Sequence, residues 1–112
     1  MHEKYHDGID ACHACAVECE HCANACLQED DVKMMARCIA LDYECAALCR
    51  TASTFMASGS EFVEDICALC ADICRTCGDE CRRHKVEHCQ RCADACDRCA
   101  EECEKVATAR VA

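Results

Sequence analysis

The chain has 112 residues and a formal net charge of −10, with no proline and three glycines. This length suits one domain over residues 1–112, and so few helix breakers leave room for long helices. An acidic chain with no basic patch is not expected to bind nucleic acid or an anionic membrane. Cysteine supplies 18 residues, far above the roughly 8–10 % that already marks a special scaffold in a short chain.

The N-terminal sequence bears on whether these cysteines are reduced. Residues 1–15 contain no basic stretch followed by an apolar run, so they predict neither a signal peptide nor a membrane span. The sequence as given therefore predicts a cytoplasmic protein, in which thiols stay reduced. A signal peptide removed before residue 1 would reverse this expectation.

Four groups of cysteines predict four helices. In chain order the groups are Cys12, Cys15, Cys19, Cys22 and Cys26; Cys38, Cys45 and Cys49; Cys67, Cys70, Cys74, Cys77 and Cys81; and Cys89, Cys92, Cys96, Cys99 and Cys103. In the first, third and fourth groups the spacing alternates between 3 and 4 residues, which is the repeat of a seam on a supercoiled helix. A strand would need a period of 2, so we expect an all-α fold whose cysteines face inward.

Short segments separate the predicted helices. Asp30 or Asp31 is a suitable N-cap for the second helix. Gly59 can end the second helix and Ser60 can start the third, while residues 82–85 form the last break. Because short connections make consecutive helices antiparallel, the sequence predicts an up-down-up-down four-helix bundle with a cysteine-lined core.

An internal repeat relates the two halves of the chain. Helix three repeats helix one at an offset of 55 residues, and helix four repeats helix two at an offset of 54. In this repeat Met35 stands opposite Cys89, and Asp42 stands opposite Cys96. A thioether is still a soft ligand, but a carboxylate is harder to explain in a thiolate core. Leu41 is equally well placed to point inward, so Asp42 either faces the core or turns to the edge of the bundle.

A seam of thiols points to soft metal ions. A purely structural role does not explain so many cysteines, because each supplies less packing area than Leu or Ile would. Disulfides do not explain them either, because a bridge between residues three or four apart constrains almost nothing. Four thiolates on Zn²⁺ leave a charge of −2, which is costly for a row of buried sites, and ferredoxin-type iron–sulfur motifs bunch their cysteines in loops. Cu(I) is soft and monovalent, so one ion per thiolate leaves the core near neutral. The sequence favours storage of roughly 18 Cu(I) ions, with a thiol-rich buffer for another soft metal such as zinc as the alternative.

The ladder Cys12-x-x-Cys15-x-x-x-Cys19-x-x-Cys22-x-x-x-Cys26 and its repeats from Cys67 and Cys89 resemble those of the cytosolic bacterial four-helix-bundle copper storage proteins. The resemblance covers about residues 5–106. It implies a homotetramer of four-helix bundles, cuprous ions bound by the cysteines inside each bundle, and storage rather than catalysis.

Enzyme motifs are not visible in the sequence. His13 and His21 adjoin Cys12 and Cys22, but they lie one residue around the helix and so point off the seam. A Cys–His nucleophile pair would need both groups to converge in a pocket. We therefore expect these histidines at the surface or at a subunit interface, and we expect no enzymatic activity.

The two ends of the predicted bundle differ in character. At one end the first and third connections are expected to bring together Met34, Met35, His84 and His88, beside Cys26, Cys38, Cys81 and Cys89. Thioether and imidazole bind Cu(I) more weakly than thiolate, so Met35, His84 and His88 are predicted to form a gate that binds an entering ion and releases it inward. The alternative is that Met35 is an ordinary core residue and that the histidines are solvated turn residues. Apolar residues are expected to plug the other end: Ile9, Phe55, Met56, Phe62, Val63 and Val106. Further apolar residues are expected to pack around the cysteines: Val17, Leu48, Ile66, Leu69 and Ile73.

Overall fold

Four α-helices make up most of the computed structural model, which describes residues 3–108 of the chain. The helices are α1 (His6–Cys26), α2 (Ala36–Ser58), α3 (Val63–Arg82) and α4 (Glu87–Thr108). Short 3-10 helices precede α1 and α2, at Glu3–Tyr5 and Val32–Met35. No strand occurs within residues 3–108, so the prediction of an all-α fold is confirmed.

The helices pack side by side in a bundle that measures 45 × 21 × 17 Å. α1 packs against α2 and α4, and α3 packs against the same two helices. The connections 59–62 and 83–86 are short, so the helices that they join run antiparallel, as the sequence predicts. Over the described residues, no helix is both long enough and apolar enough to cross a membrane.

The helix ends follow the predicted signals closely. Asp31 Oδ1 accepts a hydrogen bond from the Met34 amide at 3.3 Å and caps the 3-10 turn that leads into α2. Gly59 ends α2 in the left-handed conformation at φ 67°, and the Ser60 amide donates to the Phe55 carbonyl at 3.0 Å. Ser60 Oγ accepts from the Phe62 amide, and α3 begins just beyond it.

Cysteine and alanine fill the centre of the bundle. All 18 cysteines are fully buried, and alanines such as Ala16 and Ala100 pack between them. Larger apolar side chains, including Leu48, Ile66 and Ile73, surround this core and are partly buried. The expectation was wrong for Val17 and Leu69, which are 48 % and 49 % exposed. Val17 lies two residues from both Cys15 and Cys19, which places it on the outward side of α1.

The end of the bundle that contains residues 59–62 is closed by apolar packing. Met56 and Val63 are fully buried there, and Ile9, Phe55 and Val106 are partly buried against the core. Phe62 was also expected in this plug, but its side chain is 55 % exposed. It precedes the first turn of α3, so it lies outside the helical face that turns inward.

Candidate metal centre

The thiols form a continuous column through the bundle. Sγ atoms approach each other between helices at 3.5 Å for Cys12 and Cys103 and 3.6 Å for Cys45 and Cys74. Along one helix, the Sγ atoms of Cys15 and Cys19 are 3.9 Å apart. Two sulfurs on one ion can be up to about 4.6 Å apart if each metal–sulfur bond is about 2.3 Å, as for zinc. Neighbouring thiols in the column are therefore close enough to share a metal ion without rearrangement of the helices.

Groups of four thiols overlap along this column. In each group the four Sγ atoms lie within 4.8 Å of one another, and all four residues are buried. Two such groups share Cys49 and Cys99, and two others share Cys19 and Cys96. All 18 cysteines are free thiols. The groups that contain Cys12, Cys15 or Cys19 are linked by shared members into one array, and the group of Cys22, Cys26, Cys38 and Cys89 lies at the end of the bundle near His88.

Burial keeps thiols near the end of this array protonated. Removal from water raises the pKa of Cys26 to about 11, and it also raises the pKa of Cys89. The nearby Cys38 adds to both shifts because two adjacent thiols cannot easily both be charged. A cation that enters must therefore displace protons from these groups.

Asp42 faces the core, so the alternative that it turns to the edge of the bundle is wrong. The side chain is fully buried, and its Oδ1 accepts hydrogen bonds from Cys77 Sγ at 3.2 Å and Cys92 Sγ at 3.3 Å. Burial raises the pKa of Asp42 to about 8, and the neighbouring Cys92 and Cys38 contribute to this shift. The internal repeat already contained the signal, because Asp42 occupies the seam position that corresponds to Cys96.

His88 contacts the thiols at the mouth of the bundle, the end formed by residues 27–35 and 83–86. Its Nδ1 lies 3.5 Å from Cys22 Sγ, 3.6 Å from Cys89 Sγ and 4.0 Å from Cys26 Sγ. The side chain is only 15 % exposed. His88 is thus placed between the solvent and the last thiols of the column, which is the position predicted for a member of the gate.

Met35 and His84 border a small cavity at the mouth. Its volume is about 230 Å³, and its other lining residues are Glu29, Asp30, Asp31, Met34 and Val86. Met35 is buried, whereas His84 Nε2 pairs with Glu80 Oε2 at 2.9 Å. The structure therefore places both residues at the predicted end, but it directs this nitrogen of His84 to a carboxylate.

Glu80 is a buried charged residue that the sequence analysis missed. Its carboxylate is bound by Arg37 at 2.9 Å, Arg83 at 3.3 Å and His84 at 2.9 Å, and its side chain is 4 % exposed. The available signal was the four-residue spacing of Glu80 and His84, which makes side chains neighbours at a helix end, and His84 lies just beyond the last residue of α3. The other histidines near cysteines, His13 and His21, are exposed as predicted.

Comparison with known proteins finds relatives of this chain, both in sequence and in structure. The profile of a family described as copper storage protein matches residues 1–108. A Cu(I)-bound copper storage protein, BsCsp3, is 48 % identical with a TM-score of 0.86, over 89 % of this chain and 94 % of that one. No curated protein sequence matches the chain.

Two further solved structures give the same result. The apo form of copper storage protein 3 from Bacillus subtilis is 46 % identical with a TM-score of 0.84, over 91 % of this chain and 97 % of that one. A cytosolic copper storage protein from Streptomyces lividans, loaded with five coppers, is 34 % identical with a TM-score of 0.91, over 95 % and 93 % of the two chains. The zinc alternative receives no support from these comparisons. The chain belongs to the copper storage protein family.

Proposed function

We propose that this protein stores copper as Cu(I), with about one ion per core thiolate and so roughly 18 ions per chain. The observation that carries this proposal is the column of 18 buried thiols, in which several groups of four share members. A shared array suits an ion that accepts two or three sulfur ligands. The Cu(I)-bound relative, at 48 % identity, supports the same cargo for this chain.

Charge balance favours Cu(I) over Zn²⁺ in this core. When Cu⁺ replaces the proton of a neutral thiol, the local charge does not change. When four thiols bind Zn²⁺, four protons leave and two positive charges enter, so the site gains a charge of −2. The thiols of the column are fully buried, and the low-dielectric interior makes each uncompensated charge costly.

The ligands that we propose fall into two sets. The storage set consists of the cysteines of the four seams: Cys12, Cys15, Cys19, Cys22, Cys26, Cys38, Cys45, Cys49, Cys67, Cys70, Cys74, Cys77, Cys81, Cys89, Cys92, Cys96, Cys99 and Cys103. The gate set consists of Met35, His84 and His88, which lie at the mouth. Within the gate, the contacts of His88 Nδ1 with three thiols support it most directly.

We propose a cytoplasmic location, a homotetrameric assembly and no enzymatic activity. The Streptomyces lividans relative is a cytosolic copper storage protein, and a reducing compartment keeps a free-thiol core intact. The tetramer is proposed from the family resemblance, and size-exclusion chromatography with light scattering tests it. Every thiol in the column is fully buried, which suits sequestration better than reaction with a substrate.

A metal titration tests the proposed function. The reduced, metal-free protein is titrated anaerobically with Cu(I) against a competing chromophoric chelator, and with Zn²⁺ in a parallel experiment. We expect saturation near 18 Cu(I) per chain. Saturation with about four or five ions, or preferential filling by Zn²⁺, would show that the core holds separate quartets and would overturn the proposal.

A further inference from the structure

Glu29 connects two distant parts of the mouth. It lies in the connection between α1 and α2, and its Oε2 is 3.0 Å from Nε2 of His88, near the start of α4. The two side chains are 35 % and 15 % exposed, so the pair is partly shielded from water. On the other side of the same ring, Nδ1 faces the thiols of Cys22, Cys26 and Cys89.

The carboxylate determines which ring nitrogen carries the proton. An ionised carboxylate only accepts hydrogen bonds, so Nε2 must donate its N–H to Glu29. A neutral imidazole has one N–H, so the lone pair then resides on Nδ1. Only a lone pair can bind Cu(I). In the opposite tautomer, the Nδ1–H group would face the thiols and the Nε2 lone pair would face a negative charge.

We propose that Glu29 is a positioning residue for copper loading, which keeps the Nδ1 lone pair of His88 directed at the outermost thiols. The proposal rests on the proposed storage function and on the gate role of His88. Carboxylate partners of metal-binding histidines orient the ring and raise its basicity, and their loss typically lowers metal affinity about 10–100-fold. Glu29 also ties the α1–α2 connection to α4 across the mouth.

The Glu80–His84 pair does not have the same geometry. Glu80 Oε1 is also bound by Arg37 and Arg83, so its charge is shared among three cationic or polar partners. His88 is instead the side chain whose ring nitrogen faces three cysteine sulfurs at 3.5–4.0 Å. For this reason we assign the positioning role to Glu29 and not to Glu80.

The first test reads the tautomer directly. Long-range ¹H–¹⁵N correlation spectra of the reduced, metal-free protein separate a protonated from an unprotonated ring nitrogen, and a His88→Gln variant assigns the signals among the six histidines. We expect His88 in the Nε2–H form in the wild type and a mixture of both tautomers in Glu29→Ala. Asp30→Asn removes one charge from the same connection and should leave the His88 tautomer unchanged.

The second test measures the affinity for the first Cu(I) equivalent, delivered from a chromophoric Cu(I) chelator. Glu29→Ala should weaken this affinity by about 10-fold or more, whereas Asp30→Asn should change it less than twofold. An unchanged tautomer in Glu29→Ala, or an unchanged affinity, overturns the positioning role. If His88→Gln itself loads like the wild type, the gate role of His88 fails, while the tautomer spectra still report whether Glu29 orients the ring.

Discussion

Asp42 places a carboxyl group among core thiols, where the internal repeat has a cysteine. Four thiols surround it, since Cys38, Cys77, Cys81 and Cys92 all hydrogen-bond to its oxygens. These S–H donors satisfy the buried oxygens, and burial keeps the group protonated by raising its pKa to about 8. A neutral acid can therefore occupy the metal-free core without an uncompensated charge.

This raised pKa predicts how the stability of the metal-free protein depends on pH. An unfolded Asp loses its proton near pH 4, whereas folded Asp42 retains it up to about pH 8. Between these values the folded state binds the extra proton, so the free energy of unfolding should fall as the pH rises from about 4 to about 8. The loss should be on the order of a few kcal/mol.

Urea unfolding of the reduced apoprotein at pH 5 and pH 8 measures this dependence. Asp42→Asn keeps the shape and a carbonyl acceptor but cannot ionise, so its stability should change much less over the same range. If the variant and the wild type lose the same stability between pH 5 and pH 8, then Asp42 is not the group responsible.

Replacement of the gate residues should change rates and not capacity. Because Met35 is buried, a combined Met35→Leu, His84→Ala, His88→Ala variant preserves core volume at Met35 while removing all three side chains of the proposed gate. Loading from a Cu(I) chelator and removal by excess chelator should both slow, with total capacity nearly unchanged because the 18 cysteines remain. Since His88 contacts the thiols, His88→Ala alone should produce most of the effect.

Stopped-flow absorbance follows these rates, and a complete titration measures the capacity of each variant. Wild-type rates in the combined variant would place copper access elsewhere. The closed end around Met56 and Val63 would then be the next region to test by substitution.

Each helix is specified by the spacing of its buried residues and by the residues that begin and end it. A repeat of 3 and 4 places every cysteine of α1, α3 and α4 on one face, so a slip by one residue would expose the thiols of a whole helix. The Gly59 turn sets where α2 stops and where the chain reverses into α3. Here the amides of Gly59 and Ser60 bind the carbonyls of Met56 and Phe55.

Gly59→Ala should therefore destabilise the apoprotein by about 1 kcal/mol, because a β-carbon is disfavoured at φ 67°. Gly59→Asn is the matched control, since Asn tolerates the left-handed conformation better and should cost less. Chemical denaturation of the reduced proteins measures both values. Equal stability of the alanine variant and the wild type would contradict the role assigned to this turn.

At the scale of the whole molecule, the bundle should fold before copper binds. The buried thiols are small and, when protonated, neutral, and the partly buried Leu48, Ile66 and Ile73 add apolar packing around them. Zinc fingers differ, because they have little other than the metal to hold them together. We therefore expect a highly helical far-ultraviolet circular dichroism spectrum for the reduced, metal-free protein.

Copper should then displace protons from a core that is already folded. Addition of Cu(I) to weakly buffered apoprotein should release about one proton per ion, detected with a pH indicator, with little change in helicity. A random-coil spectrum without metal would instead indicate a chain that folds only around its cargo.

The sequence alone was sufficient to predict the helices, the cysteine face of each helix and the type of metal. The 3-and-4 spacing identifies the buried face of each helix without knowledge of its neighbours, because that face depends only on helical geometry. The number of thiols and the charge of Cu(I) likewise predict a capacity without coordinates. The expectation for Val17 and Leu69 failed because it rested on apolar character, which alone does not place a residue on the inner face.

Only the tertiary structure decided the direction of Asp42 and the contacts at the mouth. Whether Asp42 or Leu41 points inward depends on the rotation of α2 about its own axis within the bundle, and four thiols from α2, α3 and α4 bind Asp42. Glu29 and His88 are 59 residues apart, and Arg37 and Glu80 are 43 apart. No periodic pattern within one helix records such pairs, because they form only when the helices and their connections pack together.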